Sequence, residues 1–211
     1  MRNASGHFGP ASNIFPDLAI KMSPIMTKPQ KPQWRNILSR RRQAYHAAHP
    51  TITAMILGHL SDLIHQRQVV AIYAALDGEL DILPLCQMRP DVTFLLPRIE
   101  ANDVGKHMQF LPWSEDLEDG PYGLKQPARG HEYTPNMVVL PLLGMDHEGV
   151  RLGYGGGYYD RKLADLPHVR RVGVGFATQL VASLPEEQHD MRLDILVTDL
   201  GVTQLDRGAQ L

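Results

Sequence analysis

At 211 residues the chain is long enough for one domain with a full core and short for two. Apolar residues make up 43% and charged residues 21%, with a formal net charge of -2, so no global field favours nucleic acid or an anionic membrane. The single cysteine, Cys86, excludes an intramolecular disulfide and agrees with a reducing, cytoplasmic setting, and no apolar run reaches the ~18 residues of a membrane span.

In chain order, residues 1–30 hold Pro10, Pro16, Pro24 and Pro29 without a sustained period and read as a disordered tail or as sequence upstream of an initiator at Met22 or Met26. Trp34, Leu38, Arg41 and Tyr45 then recur at helical spacing, which predicts a first helix with Pro32 near its start. Arg40, Arg41 and Arg42 on this helix read as a solvated basic face. Thr51 is placed to cap a second helix carrying the stripe Ile52, Met55, Ile56, Leu60, Leu63 and Ile64.

Val69 to Leu76 is apolar and β-branched and runs into the turn signal Asp77-Gly78, as a buried strand would. A short helix is expected over Asp81 to Gln87, and strands over Val92 to Leu96, Met108 to Trp113 and Met137 to Leu143. After a glycine cluster come a helix from Tyr158 to Leu166 and strands over Arg171 to Phe176 and Leu193 to Thr198. This alternation predicts an α/β fold: a single layered domain over 31–204 with a largely parallel sheet flanked by helices, and a short tail at 205–211.

The glycine cluster carries the most information. Arg151-Leu152-Gly153-Tyr154-Gly155-Gly156-Gly157-Tyr158-Tyr159-Asp160-Arg161 places four glycines within five positions ahead of the expected helix. Bare backbone N–H groups gathered at a helix start favour phosphate. A tight structural turn fits the same spacing. No Gly-Lys-Ser/Thr follows, which excludes a Walker loop, and Tyr158 sits where a dinucleotide fingerprint needs its third glycine. None of the ten histidines shows a metal-ligand spacing, and they take no assignment.

This run closely resembles the signature of the 5-formyltetrahydrofolate cyclo-ligase family, in which Arg-Leu-Gly leads through a glycine loop into Gly-Tyr-Tyr-Asp. Three further segments agree in order. Lys31-Pro32-Gln33-Trp34-Arg35 is similar to the family's N-terminal Lys-x-x-Leu/Trp-Arg, and Asp77-Gly78-Glu79-Leu80-Asp81 to its acidic turn. Gln179, Leu184-Pro185 and His189-Asp190 are similar to its C-terminal element. One departure stands out: many members carry Gly-Ile-x-Glu-Pro where this chain has Gly123-Leu124-Lys125-Gln126-Pro127, so a carboxylate is absent at Gln126.

The resemblance implies an ATP- and Mg2+-dependent ligase that converts 5-formyltetrahydrofolate to 5,10-methenyltetrahydrofolate, a monomer with no nucleic-acid or membrane partner. It assigns ATP to Lys31, Pro32, Gln33, Trp34, Arg35, Arg151, Leu152, Gly153, Tyr154, Gly155, Gly156, Gly157, Tyr158 and Tyr159. The folate falls to Arg35, Ala74 and Glu79, together with Tyr154, Gly155, Gly156, Gly157 and Tyr158. Asp160 and Asp190 become the Mg2+ ligands, and Arg151 and Asp160 the catalytic residues. The chemistry suits such a set, because phosphoryl transfer asks a protein to align substrates and neutralise charge. Oxygen ligands suit Mg2+, and a carboxylate accepts two pterin N–H groups at once.

Overall fold

The computed structural model describes residues 29–76, 78–102 and 105–205. The tail expectations at 1–28 and 206–211 and the turn residue Asp77 lie outside the described residues. In chain order the elements are helices α1 (Lys31–Ala48) and α2 (Ile52–Leu63), strand β1 (Val69–Ala71), helix α3 (Leu85–Met88), and strands β2 (Thr93–Asn102) and β3 (Gly105–Pro112). Strands β4 (Leu117–Asp119), β5 (Lys125–Pro127), β6 (Met137–Pro141), β7 (Gly144–Asp146) and β8 (Arg151–Leu152) follow, then helix α4 (Tyr158–Ala164). Strands β9 (Arg170–Val174), β10 (Leu180–Val181), β11 (Ile195–Thr198) and β12 (Gly201–Gln204) complete the chain.

Seven strands form the central sheet in the order β12-β11-β9-β6-β1-β2-β3. The five inner strands are parallel, and each edge strand is antiparallel to its neighbour. The expected largely parallel sheet is therefore present, with antiparallel borders. A three-stranded sheet, β10-β7-β8, and the β4–β5 hairpin sit outside it.

Strand alternation sends side chains into two cores. Val70, Phe94, Leu96, Met137, Val139, Ile195 and Val197 pack with Ile56, Leu57 and Leu60 of α2 on one face. Ala71, Leu95, Val138, Leu140 and Leu196 pack with Tyr158 and Leu163 of α4 on the other. Both faces being covered is why these strands read as unbroken apolar runs. A twelve-residue helix is marginal alone; each buried aliphatic side chain of α2 contributes about 1.5–3 kcal/mol, and that burial decides its stability. Among the described residues no helix is long and apolar enough to cross a membrane.

Several boundaries differ from expectation. The strand expected over Val69 to Leu76 leaves the sheet ladder after Ala71, with Ile72 N still donating to Leu95 O at 2.9 Å. Pro84 holds the helix expected from Asp81 back to Leu85–Met88, because an imide nitrogen cannot continue a helix from within. Strand β2 runs six residues past Leu96 into a hairpin with β3, straight through Pro97. Pro97 is tolerated because its missing N–H lies on the side away from β3: Ile99, two residues on, sends its own N–H to Gln126 Oε1 at 3.0 Å. Leu205, expected in the C-terminal tail, donates its N–H to Asp194 O at 2.9 Å, so the folded part reaches one residue further.

The strand order reverses at β1. The chain builds β2 and β3 to one side of it, then crosses to β6, β9 and β11 on the other. Segments leaving the carboxyl ends of β1 and β6 must therefore diverge, and a crevice opens between them.

Candidate functional site

A cavity of about 880 Å³ occupies this crevice. Tyr73, Ala74 and Leu76 beyond β1 and Pro141 at the end of β6 line it. So do Lys31, Pro32, Arg35, Glu79, Asp160, Asp190 and the whole run Arg151 to Tyr159. Its size suits organic ligands of substrate dimensions.

The glycine loop is clasped by guanidinium groups. Arg35 Nε donates to Gly153 O at 2.9 Å, and Arg161 Nη2 donates to Gly156 O at 2.9 Å. Gly155 has φ +95°, and a Cβ there would lie 3.0 Å from the Arg35 guanidinium carbon. Gly157, at φ +66°, caps α4, and a Cβ there would lie 2.7 Å from Arg161 Nη1. Glycine is thus required twice over, for backbone conformation and for close approach. Arg151 Nη1 donates to Pro141 O at 3.1 Å, which ties the start of the loop to the end of β6. Helix α4 has only seven residues, so attraction for anions rests on the loop backbone and the arginines rather than on a helix dipole.

The loop tyrosines divide between scaffold and surface. Tyr158 packs into the core beneath α4 and meets the exposed Tyr122, hydroxyl to hydroxyl, at 3.3 Å. Tyr159 lies under the Arg151 guanidinium, 5.7 Å from its ring centroid, and burial pushes its hydroxyl pKa upward. Tyr154 is half exposed, but its hydroxyl accepts from Arg42 Nη1 at 2.9 Å. Burial, followed by the nearby Glu79 carboxylate, raises the Tyr154 pKa to about 12.

Two cation–carboxylate pairs meet at the cavity wall. Lys31 Nζ donates to Asp190 Oδ2 at 2.7 Å and sits 3.2 Å from Glu187 Oε1. Arg151 Nη2 reaches both Asp160 oxygens at 3.4 Å. The Met191 N–H donates to Asp160 Oδ1, also at 3.4 Å, so Asp160 and Asp190 come from distant sequence to adjoining backbone. Asp160 and Asp190 offer carboxylate oxygens on adjoining backbone, the donor type magnesium prefers, so the residues fit that ion. Glu187, marked by no motif, and His189, which took no assignment, also line the cavity, and their donor atoms lie within 4.8 Å of each other and of Asp190. Nothing in their spacing signals this; the Glu187 N–H to Asp190 Oδ2 bond, 2.7 Å, makes the turn that presents them.

Glu79 is 7% exposed, and it locks its own turn. Its N–H donates to Leu76 O at 2.9 Å, and its Oε2 accepts from Leu76 N at 2.7 Å. Oε1 is buried and takes no hydrogen bond among the described residues. Burial raises the Glu79 pKa, while the Leu76 N–H, the Tyr154 hydroxyl and the Arg42 charge oppose the rise. A buried acceptor left open at a cavity wall is suited to a ligand donor.

Three residues sit elsewhere than expected, and the departure at Gln126 gains a structural account. Gln33 does not line the cavity; its Oε1 accepts from Gln30 N at 2.8 Å and caps α1. Trp34 does not line it either, and packs instead against Leu38, Val150, Leu152 and Leu184. Arg42 is no solvated face residue: it is 3% exposed. Gln126 is buried at 3% and joins the β4–β5 hairpin to β2, which is a structural duty.

The model of the 5-formyltetrahydrofolate cyclo-ligase family matches residues 27–199. The 5-formyltetrahydrofolate cyclo-ligase of Escherichia coli K12 is 34% identical over 140 residues, covering 61% of this chain and 76% of that protein. The Haemophilus influenzae enzyme of the same name is 32% identical over 167 residues, covering 72% of this chain and 86% of that protein. Among solved structures, the Aquifex aeolicus 5,10-methenyltetrahydrofolate synthetase superposes with a TM-score of 0.70 at 26% identity, over 86% of this chain and 95% of that one. The Mycoplasma pneumoniae synthetase, at 17% identity and a TM-score of 0.64 over 80% and 98%, shares the fold. The chain belongs to the 5-formyltetrahydrofolate cyclo-ligase family.

Proposed function

We propose that this member of the family uses ATP to close 5-formyltetrahydrofolate into 5,10-methenyltetrahydrofolate, releasing ADP and phosphate. One observation carries the reading. Lys31, Arg35, Glu79, Arg151, Asp160 and Asp190, up to 159 residues apart, converge on a single cavity at the strand-order reversal.

The chemistry needs no protein nucleophile. An N-formyl group is an amide, with a weakly electrophilic carbon and a poor leaving oxygen. The formyl oxygen takes the γ-phosphoryl group as its bond to ADP breaks. The neighbouring folate nitrogen then bonds to the formyl carbon, phosphate departs with the oxygen, and that nitrogen loses its proton to solvent. The protein's work is alignment and charge compensation. Lys31, Arg35 and Arg151 face the phosphates with the glycine-loop backbone, and Glu79 accepts pterin N–H groups through its open Oε1. Asp160 and Asp190 would hold Mg2+, which supplies charge neutralisation when bound. Tyr122, Leu124, Ile99 and Met108 add apolar wall that excludes water from the reacting atoms. We assign this activity to residues 31–204.

The test is the absorbance of methenyltetrahydrofolate formed from 5-formyltetrahydrofolate. Product is expected only with ATP and magnesium together. Product without ATP, or none from folded protein across a range of divalent ions, would overturn the proposal.

A further inference from the structure

We propose that Arg42 is a positioning residue for the folate wall: from α1 it holds the Tyr154 hydroxyl of the glycine loop and sets a buried positive charge against the Glu79 turn. The inference rests on the assignment of Glu79 to folate and adds to it a residue that neither touches the ligand nor lines the cavity.

Three contacts place the guanidinium. Its Nη1 donates to the Tyr154 hydroxyl at 2.9 Å, and its carbon lies 5.8 Å from the Tyr154 ring centroid. A Cβ on Gly78, next to Glu79, would come within 3.3 Å of Nη2, so the acidic turn packs directly on the arginine. A charge 3% exposed carries a large desolvation cost and persists where it meets an opposite charge and hydrogen-bond acceptors. The planar fork reaches the loop and the turn together, which a lysine ammonium cannot do with one fixed geometry.

The consequence concerns the protonation of Glu79. The groups facing it are Arg42 from α1, Tyr73 beyond β1, Tyr154 from the glycine loop and Tyr159 from α4. Arg42 is the cation among these facing groups of the described residues. Burial drives the carboxyl toward its neutral form; the Leu76 N–H, the Tyr154 hydroxyl and then the Arg42 charge drive it back. Removal of the arginine charge raises the Glu79 pKa further, so the carboxylate takes its proton at a higher pH. Folate affinity, which uses the ionised acceptor, is then lost earlier as pH falls.

Equilibrium binding of 5-formyltetrahydrofolate and of ATP, measured from mildly acidic to mildly alkaline pH on the full chain, decides the matter. Arg42→Met is expected to weaken folate binding at neutral pH roughly 10-fold or more, the scale of a lost charge-assisted contact. Its acidic limb is expected to move to higher pH, with ATP affinity changed only a few-fold. Arg42→Lys keeps the charge and is expected to hold the limb in place while affinity falls several-fold. Equal losses for both ligands with an unmoved limb, or a lower melting temperature with both affinities intact, would show Arg42 to be scaffold. If Arg42→Met does not fold, parental folate affinity in Arg42→Lys overturns the inference. Glu79→Gln separates the two ideas: unchanged folate affinity there refutes the Glu79 assignment itself, whatever Arg42 does.

Discussion

Two stretches of the cavity wall are built by different rules. One consists of Lys31, Pro32 and Arg35, the run 151–160, and Glu187, His189 and Asp190, in which charge and glycine dominate. The other consists of Tyr73, Leu76, Pro97, Ile99, Met108, Tyr122 and Leu124, drawn from the segment after β1, the β2–β3 hairpin and the β4–β5 hairpin. The first works through groups that keep their chemistry in any surroundings. The second works through shape, which exists only once the β2–β3 edge of the sheet and the β4–β5 hairpin are in place.

Substitutions in the charged wall should therefore act on turnover, and the largest effect is expected at Asp160. Asp160→Asn keeps the acceptor for Met191 N but removes the charge proposed to hold Mg2+. Turnover is expected to fall by on the order of 10²–10³, the loss seen when one charge-stabilising group is removed from an active site. The variant also breaks the Arg151 pair at 3.4 Å, a part-buried contact worth about 1 kcal/mol, so melting should drop by only ~2–4 °C. Kinetics and thermal unfolding on the same preparation check both parts. Full activity with a much lower melting temperature would make Asp160 a scaffold residue.

Glu79 stands where the two walls meet, and Glu79→Gln should split the Michaelis constants. With Oε2 held by Leu76 N, the open Oε1 is the acceptor left for the pterin, and an amide replaces it with a neutral oxygen or an NH2 donor. The folate KM is expected to rise roughly 10- to 100-fold, from the ~1.5–3 kcal/mol of a charged hydrogen bond, with the ATP KM nearly unchanged. Parallel rises in both constants would place Glu79 outside the folate contact.

How much of this was legible in the sequence follows the same division. The buried parallel strands announced themselves as apolar runs, whereas Lys31, Arg35, Arg151, Asp160 and Asp190 were singled out by the family resemblance and not by their spacing. The β2–β3 extension was not, because Pro97, Arg98 and Glu100 look like a loop unless one knows that the proline nitrogen faces away from β3. Trp34 matched a motif yet belongs to the packing around Leu38, since the helix face that bears it turns from the cavity. Arg42 was lost among its basic neighbours: charge in a helix stripe reads as solvated, and only the fold lays the Glu79 turn over that position.

A backbone probe sharpens the contrast with less effect. Gly155→Ala forces a side chain into φ +95° and places a methyl 3.0 Å from the Arg35 guanidinium. The strain is about 1–3 kcal/mol, and Arg35 must release Gly153 O to relieve the contact. Both KM values are expected to rise several-fold, because Arg35 is assigned to both substrates, with a melting temperature lower by several degrees. Unchanged constants would mean that the clasp on the loop has no part in binding.

The smallest effect on turnover is expected at Gln126, where many relatives by resemblance carry glutamate. In this chain Gln126 Oε1 accepts the Ile99 N–H at 3.0 Å, and its Nε2 donates to Glu118 Oε1 at 3.4 Å. Glu118 also accepts from Arg98 Nη1 at 2.6 Å. Gln126→Glu preserves the first bond but turns the second donor into an acceptor, so a buried carboxylate faces the half-exposed Glu118 carboxylate. Arg98 and solvent offset part of the repulsion; the remainder should lower melting by a few degrees at neutral pH. Burial and the neighbouring carboxylate both raise the folded-state pKa of the introduced carboxyl above its unfolded value. The deficit is therefore full where that group is ionised and shrinks as pH falls through the raised pKa, because the protonated form donates to Glu118 again. Turnover should stay within about two-fold, since Gln126 does not line the cavity. Melting curves of both proteins over a pH series, beside turnover at neutral pH, give the answer. A variant that melts like the parent but loses activity would mean that the β4–β5 hairpin transmits its position to the apolar wall through Leu124.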